Sequence, residues 1–329
     1  MKVTIALSVY NVDKYLRDAL DDIVNQTYPN LEIICIDDAS TDDTWNILKE
    51  YSEKDKRIRL IKHSHNMGLS VSRNESIDAA NGEYLIMLDG DDRFCHSMVE
   101  DALDCACHMD ADVVIWDYAT FSKDSELLNS INQDSRLNPA IVKDRKLLLE
   151  LPGFIWIKLF RTEILKKMNI RFAIGLTKQD IPVHWRIATE FDKIAILPKK
   201  LVHYRINHNA TSTRRDKSLF SLAKVMDIVG EQLRNDGIYY IYRNEYLRRR
   251  LSLLHGMYDF VTPELKSDAL LMVCERFDED ARLFLKENGN CLSSRTKNFY
   301  KMIQGDFIAK IRYTLFLFAR SLYRRVTKR

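Results

Sequence analysis

Four short apolar runs recur along the first third of the chain: KVTIALSV (2–9), LEIICI (31–36), IRLIK (58–62) and EYLIMLD (83–89). Between them the apolar residues switch to helical spacing. In NVDKYLRDALDDIVNQ (11–26), Val12, Leu16, Leu20, Ile23 and Val24 fall on one face. STDDTWNILKEYSEKD (40–55) predicts a second helix, with Ser40 as N-cap and Asp42 and Asp43 in the first turn. GLSVSRNESIDAAN (68–81) predicts a third, closed by Gly82. A helix over 97–109 and a strand over 112–121 continue the alternation. Strands that are apolar throughout need cover on both faces, and helices between them supply it. The expected fold class is α/β: a mostly parallel sheet flanked by helices.

The pattern then changes. Residues 125–152 read as loop followed by helix, and 153–215 mix short helices and strands. From 216 onward the chain reads as helix. The expected organisation is an α/β domain over 1–215 and a helical C-terminal region over 216–329. An apolar fraction of 46% suffices for a core, and only 10 Gly and 6 Pro point to long helices and short loops. The net charge of +3 is uneven: seven Lys or Arg fall in 310–329, so the rest carries about −4 (3 − 7). A body of that charge is no nucleic-acid platform. Six cysteines without a CxxC pair read as reduced core thiols in a cytosolic compartment. The apolar stretch Val3–Val9 is too short for a signal peptide, and no run approaches the roughly 20 residues that span a bilayer.

In open sheets of this kind ligands bind at the carboxyl ends of the strands. Each strand end carries a polar cluster: Ser8–Asn11, Asp37–Ser40, Asn66 and Gly68 ahead of the helix bearing Arg73, and Asp89-Gly90-Asp91-Asp92. Three carboxylates this close raise one another's pKa. A hard divalent cation, Mg²⁺ or Mn²⁺, would relieve them, as would service as an Asp-Gly turn before a helix. Asp38 could accept from a ligand N–H or cap the next helix. Tyr10 could stack on a flat ring or simply lie at the surface. Arg73 could bind phosphate through two nitrogens or sit on a solvated helix face. The first strand–helix turn, SVYNVDKY, lacks GxGxxG, and no GxxxxGK[ST] occurs. Nicotinamide dehydrogenases and P-loop kinases are therefore poor candidates, and a nucleoside diphosphate would have to be held by metal and arginine.

ALSVYNVDKYLRDALDDIVNQTYPNLEIICIDDASTDDT and NMGLSVSRNESIDAANGEYLIMLDGDD together closely resemble the nucleotide-sugar-binding half of family 2 glycosyltransferases. The resemblance is strong over about 1–120. It continues more loosely through WIKLFRTEIL (156–165), FAIGLTKQDIPVHW (172–185) and VHYRINHNATST (202–213). It implies a GT-A fold and an inverting, metal-dependent, hexosyltransferase-type enzyme of bacterial polysaccharide biosynthesis. The donor would be a nucleotide sugar, UDP favoured, and the acceptor a growing or lipid-linked glycan. The resemblance further implies that Ser8 and Tyr10 contact the nucleoside, that Asp38 reads the base imide and that Arg73 lies near the phosphates. Asp89, Asp91 and Asp92 then match the Asp-x-Asp motif that holds Mn²⁺ or Mg²⁺ and the donor. Asp180 falls at the general base, where Gln179-Asp180 replaces the usual Glu-Asp.

His184, His203, Tyr204, Arg205 and Lys158 are weaker candidates with ready structural explanations. Trp156 and Trp185 could stack on acceptor sugars or pack in the core. FIAKIRYTLFLFARSLYRRVTKR (307–329) reads as a basic amphipathic helix suited to an anionic membrane surface, or packed on the body. That expectation places the protein in the cytoplasm, peripheral on the inner face of the membrane, with a homodimer through C-terminal helices as a further arrangement. Two other functions compete. A nucleotidyltransferase would show a glycine-rich basic loop after the first strand. A catalytically inactive sugar-nucleotide or membrane-binding module would have no need of Asp180.

Overall fold

The structure is a computed structural model that describes residues 1–123, 126, 139–206, 214–306, 308 and 313. The chain divides into two compact units, Met1–Thr213 and Arg214–Arg329.

In the first unit the expected alternation is present: β1 (Val3–Val9), α1 (Asp13–Val24), β2 (Leu31–Asp37), α2 (Thr44–Lys54), β3 (Ile58–Lys62), α3 (Leu69–Ala79) and β4 (Tyr84–Asp89). The chain continues through β5 (Arg93–Phe94), α4 (Met98–Met109), β6 (Val113–Phe121), β7 (Ala140–Ile141), α5 (Arg145–Leu148) and β8 (Lys158–Arg161). It closes with α6 (Thr162–Lys167), α7 (Asp180–Glu190) and β9 (Ile194–Arg205). Among the described residues the strands form one sheet in the order β3-β2-β1-β4-β8-β6-β9-β5, with β7 beside β9. Strands β1 to β4 pair in parallel, while β8 runs antiparallel between β4 and β6. All seven residues of β1 are buried, which is why that strand shows no polar alternation.

Two expected helix ends differ. Helix α2 starts at Thr44, not Ser40, because the Ser40 hydroxyl accepts from the Asn11 backbone N–H (3.0 Å) instead of capping its own helix. Helix α3 ends on Ala80, and Gly82 serves another purpose: a Cβ there would lie 2.5 Å from the Thr4 nitrogen. Glycine is needed where two backbones approach so closely. The thiols also divide. Cys35 and Cys105 are buried as expected, but Cys107, Cys274 and Cys291 are exposed.

The second unit contains α8 (Ser221–Asn235), α9 (Tyr239–Phe260), α10 (Lys266–Glu275), α11 (Glu279–Asn288) and α12 (Ser294–Ile303). Buried tyrosines anchor its core to backbone: Tyr246 donates to the Met226 carbonyl and Tyr300 to that of Leu251, both at 3.0 Å. No described helix is long and apolar enough to cross a membrane. The basic tail expected over 307–329 lies outside the described residues, apart from Ile308 and Tyr313.

Candidate active site

The parallel register brings the strand ends level. Ser8 pairs with Ile36 on one side and Asp89 on the other, and Asp37 faces both Val9 and Lys62. Tyr10, just beyond β1, leaves 45% of its surface exposed. Three non-glycine residues beside the site hold left-handed backbone: Asn11 (φ 52°), Ala39 (φ 60°) and Lys178 (φ 60°). Such strain persists where surrounding structure imposes it, and it gathers at functional sites.

Helix α3 explains how distant residues meet. Its buried face is Ser70, Ser72, Arg73, Ser76 and Ile77, mostly small or polar. Asn74 is stitched to the Phe172 backbone by two hydrogen bonds (2.8 and 3.0 Å), and the Ser70 hydroxyl donates to the Ala173 carbonyl. These ties bring the segment before α7 onto α3. Asp180, the first residue of α7, thereby reaches Arg73.

Arg73 is 3% exposed and its guanidinium forks between two carboxylates. One nitrogen pairs with Asp180; the other donates to Asp89 at 3.0 Å. The guanidinium also lies over the Phe172 ring, 5.5 Å from its centroid. The phosphate-facing arginine expected from sequence is thus engaged inside the protein. Asp180 further accepts from the Ile155 backbone N–H, and Lys158 lies near it. Lys158 is fully buried and donates to the Phe154 carbonyl. Burial brings its pKa down to about 7, against the pull of the Asp180 charge. Burial and the Asp89 charge raise the Asp180 pKa, while Arg73 and Lys158 hold it back. Two carboxylates and two cations make a nearly neutral cluster when all are charged.

The three clustered aspartates have separate surroundings. Asp89 faces Arg73. Asp92 is 1% exposed; its Oδ1 accepts from the Arg205 backbone N–H (2.9 Å), and its Oδ2 has no hydrogen-bond partner among the described residues. Burial, with Asp91 and Asp89 nearby, pushes its pKa well above the ordinary value. Asp91 is half-buried, and burial plus the Asp89 charge push it up to about 6. Among the described residues no group of three or more His, Cys, Asp or Glu is arranged to hold a metal ion. The expected three-aspartate cage is therefore not assembled. A smaller oxygen set remains: Asp91 with Asp89, Asp89 paired with Arg73 and Asp91 in the field of Arg205. That suits Mg²⁺ or Mn²⁺, which protein commonly holds through one or two carboxylates, substrate phosphates completing the shell.

Because the folded pKa of Asp91 lies above its unfolded value, the folded state binds more proton between about pH 4 and 6. Stability falls as pH rises through that window. Asp91→Asn should therefore stabilise the metal-free protein at pH 7 by about 1–3 kcal/mol. Added Mg²⁺ should raise the Tm of the parent and not of the variant. Equal metal-free melting temperatures would sink this account of Asp91.

Asp38 is also committed. One oxygen accepts from Met67 N–H (2.7 Å) and the His63 ring (2.7 Å), the other from Gly68 N–H (2.8 Å). It fixes the turn that opens α3, where Gly68 adopts φ 89°. Its neighbour Asp37 is fully buried, and its Oδ2 accepts no hydrogen bond from the described residues. His184 donates from Nε2 to the Leu148 carbonyl (2.9 Å), and Trp185 is buried, so both belong to packing.

Sequence reading gave Arg205 little weight. Its Nε donates to the Asp91 carbonyl (2.9 Å), and its guanidinium lies over Tyr15 and Phe121 at 4.5 and 4.4 Å. Arg205 therefore holds the aspartate turn in place. Gly90 completes that turn because a Cβ would sit 2.6 Å from Val9 Cγ1, a stiff β-branched side chain. Gly90→Ala should cost about 1–3 kcal/mol, read as a lower denaturant midpoint without a change in slope. An unchanged midpoint would mean the turn relaxes freely.

The profile of Glycosyl transferase family 2 matches residues 4–168. Glycosyltransferase GlyA of Streptococcus pneumoniae is 31% identical over 221 residues, covering 64% of this chain and 31% of GlyA. The chain spans less than two thirds of the length of that relative and of several others it matches. S. aureus TarS 1–349 superposes with a TM-score of 0.64 at 20% identity, covering 91% of this chain and 85% of that one. TarS 1–349 in complex with UDP-GlcNAc gives 0.60 at 17% identity, over 87% and 92%. Mannosyltransferase PcManGT of Pyrobaculum calidifontis, in complex with GDP-Man and Mn²⁺, gives 0.51 at 15% identity, over 86% and 82%. These likenesses show a shared fold.

Proposed function

The chain belongs to glycosyl transferase family 2, and from that premise we propose that it moves a hexose from a UDP-sugar to a hydroxyl of a growing surface glycan, with inversion, assisted by Mn²⁺ or Mg²⁺. One observation carries this reading: Arg73 joins Asp180 to Asp89 across 107 and 16 residues of sequence. A basic carboxylate and a donor-side carboxylate are thereby fixed as one rigid pair. The UDP-GlcNAc-bound TarS structure and the Mn²⁺-bound PcManGT structure support the donor class and the metal.

Tyr10 stacks on the nucleobase and Ser8 lines the nucleoside pocket at the end of β1. Asp38 positions the turn before α3 through the three bonds its oxygens accept, and its remaining acceptor capacity serves the base imide. Asp91, with Asp89, would hold the cation, which would stabilise charge on the departing diphosphate. Asp180 takes the proton of the acceptor hydroxyl as its oxygen attacks the sugar C1. The new C1–O bond forms on one face while the bond to the diphosphate breaks on the other, its electron pair leaving with the phosphate oxygen. One displacement inverts the anomeric centre.

The purified chain incubated with a panel of UDP- and GDP-sugars, with Mn²⁺ or with chelator, should release nucleoside diphosphate from a UDP-sugar in a metal-dependent way. Absence of any nucleotide binding with metal present would overturn the reading. Release that chelator leaves untouched would remove the metal from it.

A further inference from the structure

Four clustered aromatic rings are left unused by this mechanism. Phe154 and Trp156 stack with centroids 4.8 Å apart, Trp156 and Tyr204 with centroids 5.4 Å apart, each pair 12° from parallel. Tyr118 meets Trp156 edge-on at 5.1 Å and Phe154 at 5.7 Å. Trp156 is buried, whereas Tyr118, Phe154 and Tyr204 stay half-buried. The backbone ties this cluster to both sides of the site. Ile155, between the two stacked rings, is the residue whose N–H binds Asp180. Phe154 supplies the carbonyl that accepts from Lys158. Tyr204 directly precedes Arg205, which clasps Asp91 and Asp92. The cluster is therefore joined through its backbone to both the proposed base and the aspartate turn.

An acceptor must present its hydroxyl to Asp180 in this neighbourhood. Partly open aromatic surface beside a few fixed polar groups is the usual lining of a small-molecule site. Such rings match a partner with one apolar face and polar edges. A pyranose ring has that form, with C–H groups on a face and hydroxyls at the rim. An open-chain polyol phosphate has no such face and carries its charge throughout. We infer that Tyr118, Phe154 and Tyr204 form the acceptor subsite and that it takes a pyranose ring. This rests on Asp180 being the base.

Saturation-transfer NMR on the full chain with UDP and Mg²⁺ tests it, using methyl α- and β-glucopyranoside, methyl N-acetylglucosaminide and ribitol 5-phosphate as probes. Methyl aglycones avoid a group that would itself stack. The pyranoside C–H signals should be enhanced well above those of ribitol 5-phosphate. Tyr204→Ala should weaken pyranoside binding about 2–10-fold. Phe154→Leu, which keeps an apolar side chain, should weaken it in the same direction and guards against a folding artefact. Equal enhancement of ribitol 5-phosphate, or a pyranoside signal that neither variant alters, would overturn the inference. The UDP protons in the same spectra separate the two readings. Enhanced UDP without enhanced pyranoside sinks the subsite alone. Enhanced pyranoside without UDP sinks the donor reading and leaves the subsite standing.

Discussion

Asp180→Asn should lower kcat/KM for sugar transfer by about 10²–10⁴-fold, the usual contribution of a positioned general base. The asparagine keeps size and the capacity to accept from Ile155 N–H, so donor binding should survive. The parent enzyme should also show a shifted acid limb. The base must be ionised, so activity falls as pH drops through its pKa. Burial raises that pKa, so loss should begin at a higher pH than for an ordinary aspartate. Lys158 opposes this rise. Lys158→Met should therefore move the acid limb to still higher pH, whereas a residue that only packs would lower activity without moving it. The measurements are kcat/KM against pH for the three proteins and nucleotide binding for each. Full transfer by Asp180→Asn, with parental pH dependence, would remove Asp180 from the mechanism.

The parts of the fold legible in the sequence are those whose physics is local. Strands β1, β2 and β4 are buried almost throughout and so read as unbroken apolar runs, while β3, at the end of the sheet, is only partly buried and carries Arg59 and Lys62. Strands β5, β7 and β8 span two to four residues each, too few to show any period. Their pairing depends on partners as remote as Arg93 with His203. The antiparallel strand between β4 and β6 was invisible for that reason.

The site was legible in kind more than in detail. Asp38 and Ser40 sit where caps belong, and cap chemistry looks the same in sequence whichever backbone N–H the oxygen accepts. Here those donors are Met67, Gly68 and Asn11, two of them about 30 residues away in the turn before α3. Asp92 reads as a third ligand because it adjoins Asp91, yet neighbouring side chains point apart. Its partner is the backbone of Arg205, 113 residues on. Lys158 inside WIKLF offered one signal, a lysine amid apolar residues. That is how a buried, neutralised or paired ammonium must look.

Arg73 carries the largest expected effect on stability. Its removal leaves Asp89 and Asp180 facing each other in a site where the side chains are 26% and 19% exposed. Breaking a buried pair by deleting one partner typically costs about 3–5 kcal/mol, because the stranded charge remains desolvated. Arg73→Met keeps the stem that packs near Phe172 and removes only the fork, so its cost reports the charge. The sign of the pH dependence distinguishes this from lost packing. Without the guanidinium the Asp180 carboxyl, already raised by burial, rises further and stays protonated further up the scale. A protonated Asp180 needs no cation, so the variant should approach parental stability near pH 4. Its deficit should then grow as pH rises and Asp180 is forced to ionise. Arg73→Lys should recover little, since an ammonium cannot bridge two carboxylates in a fixed planar geometry. Thermal unfolding of the parent and both variants from pH 4 to 8 decides the matter. A deficit that is constant across that range would mean Arg73 matters for its volume, and the link between the donor side and the base would lose its electrostatic basis.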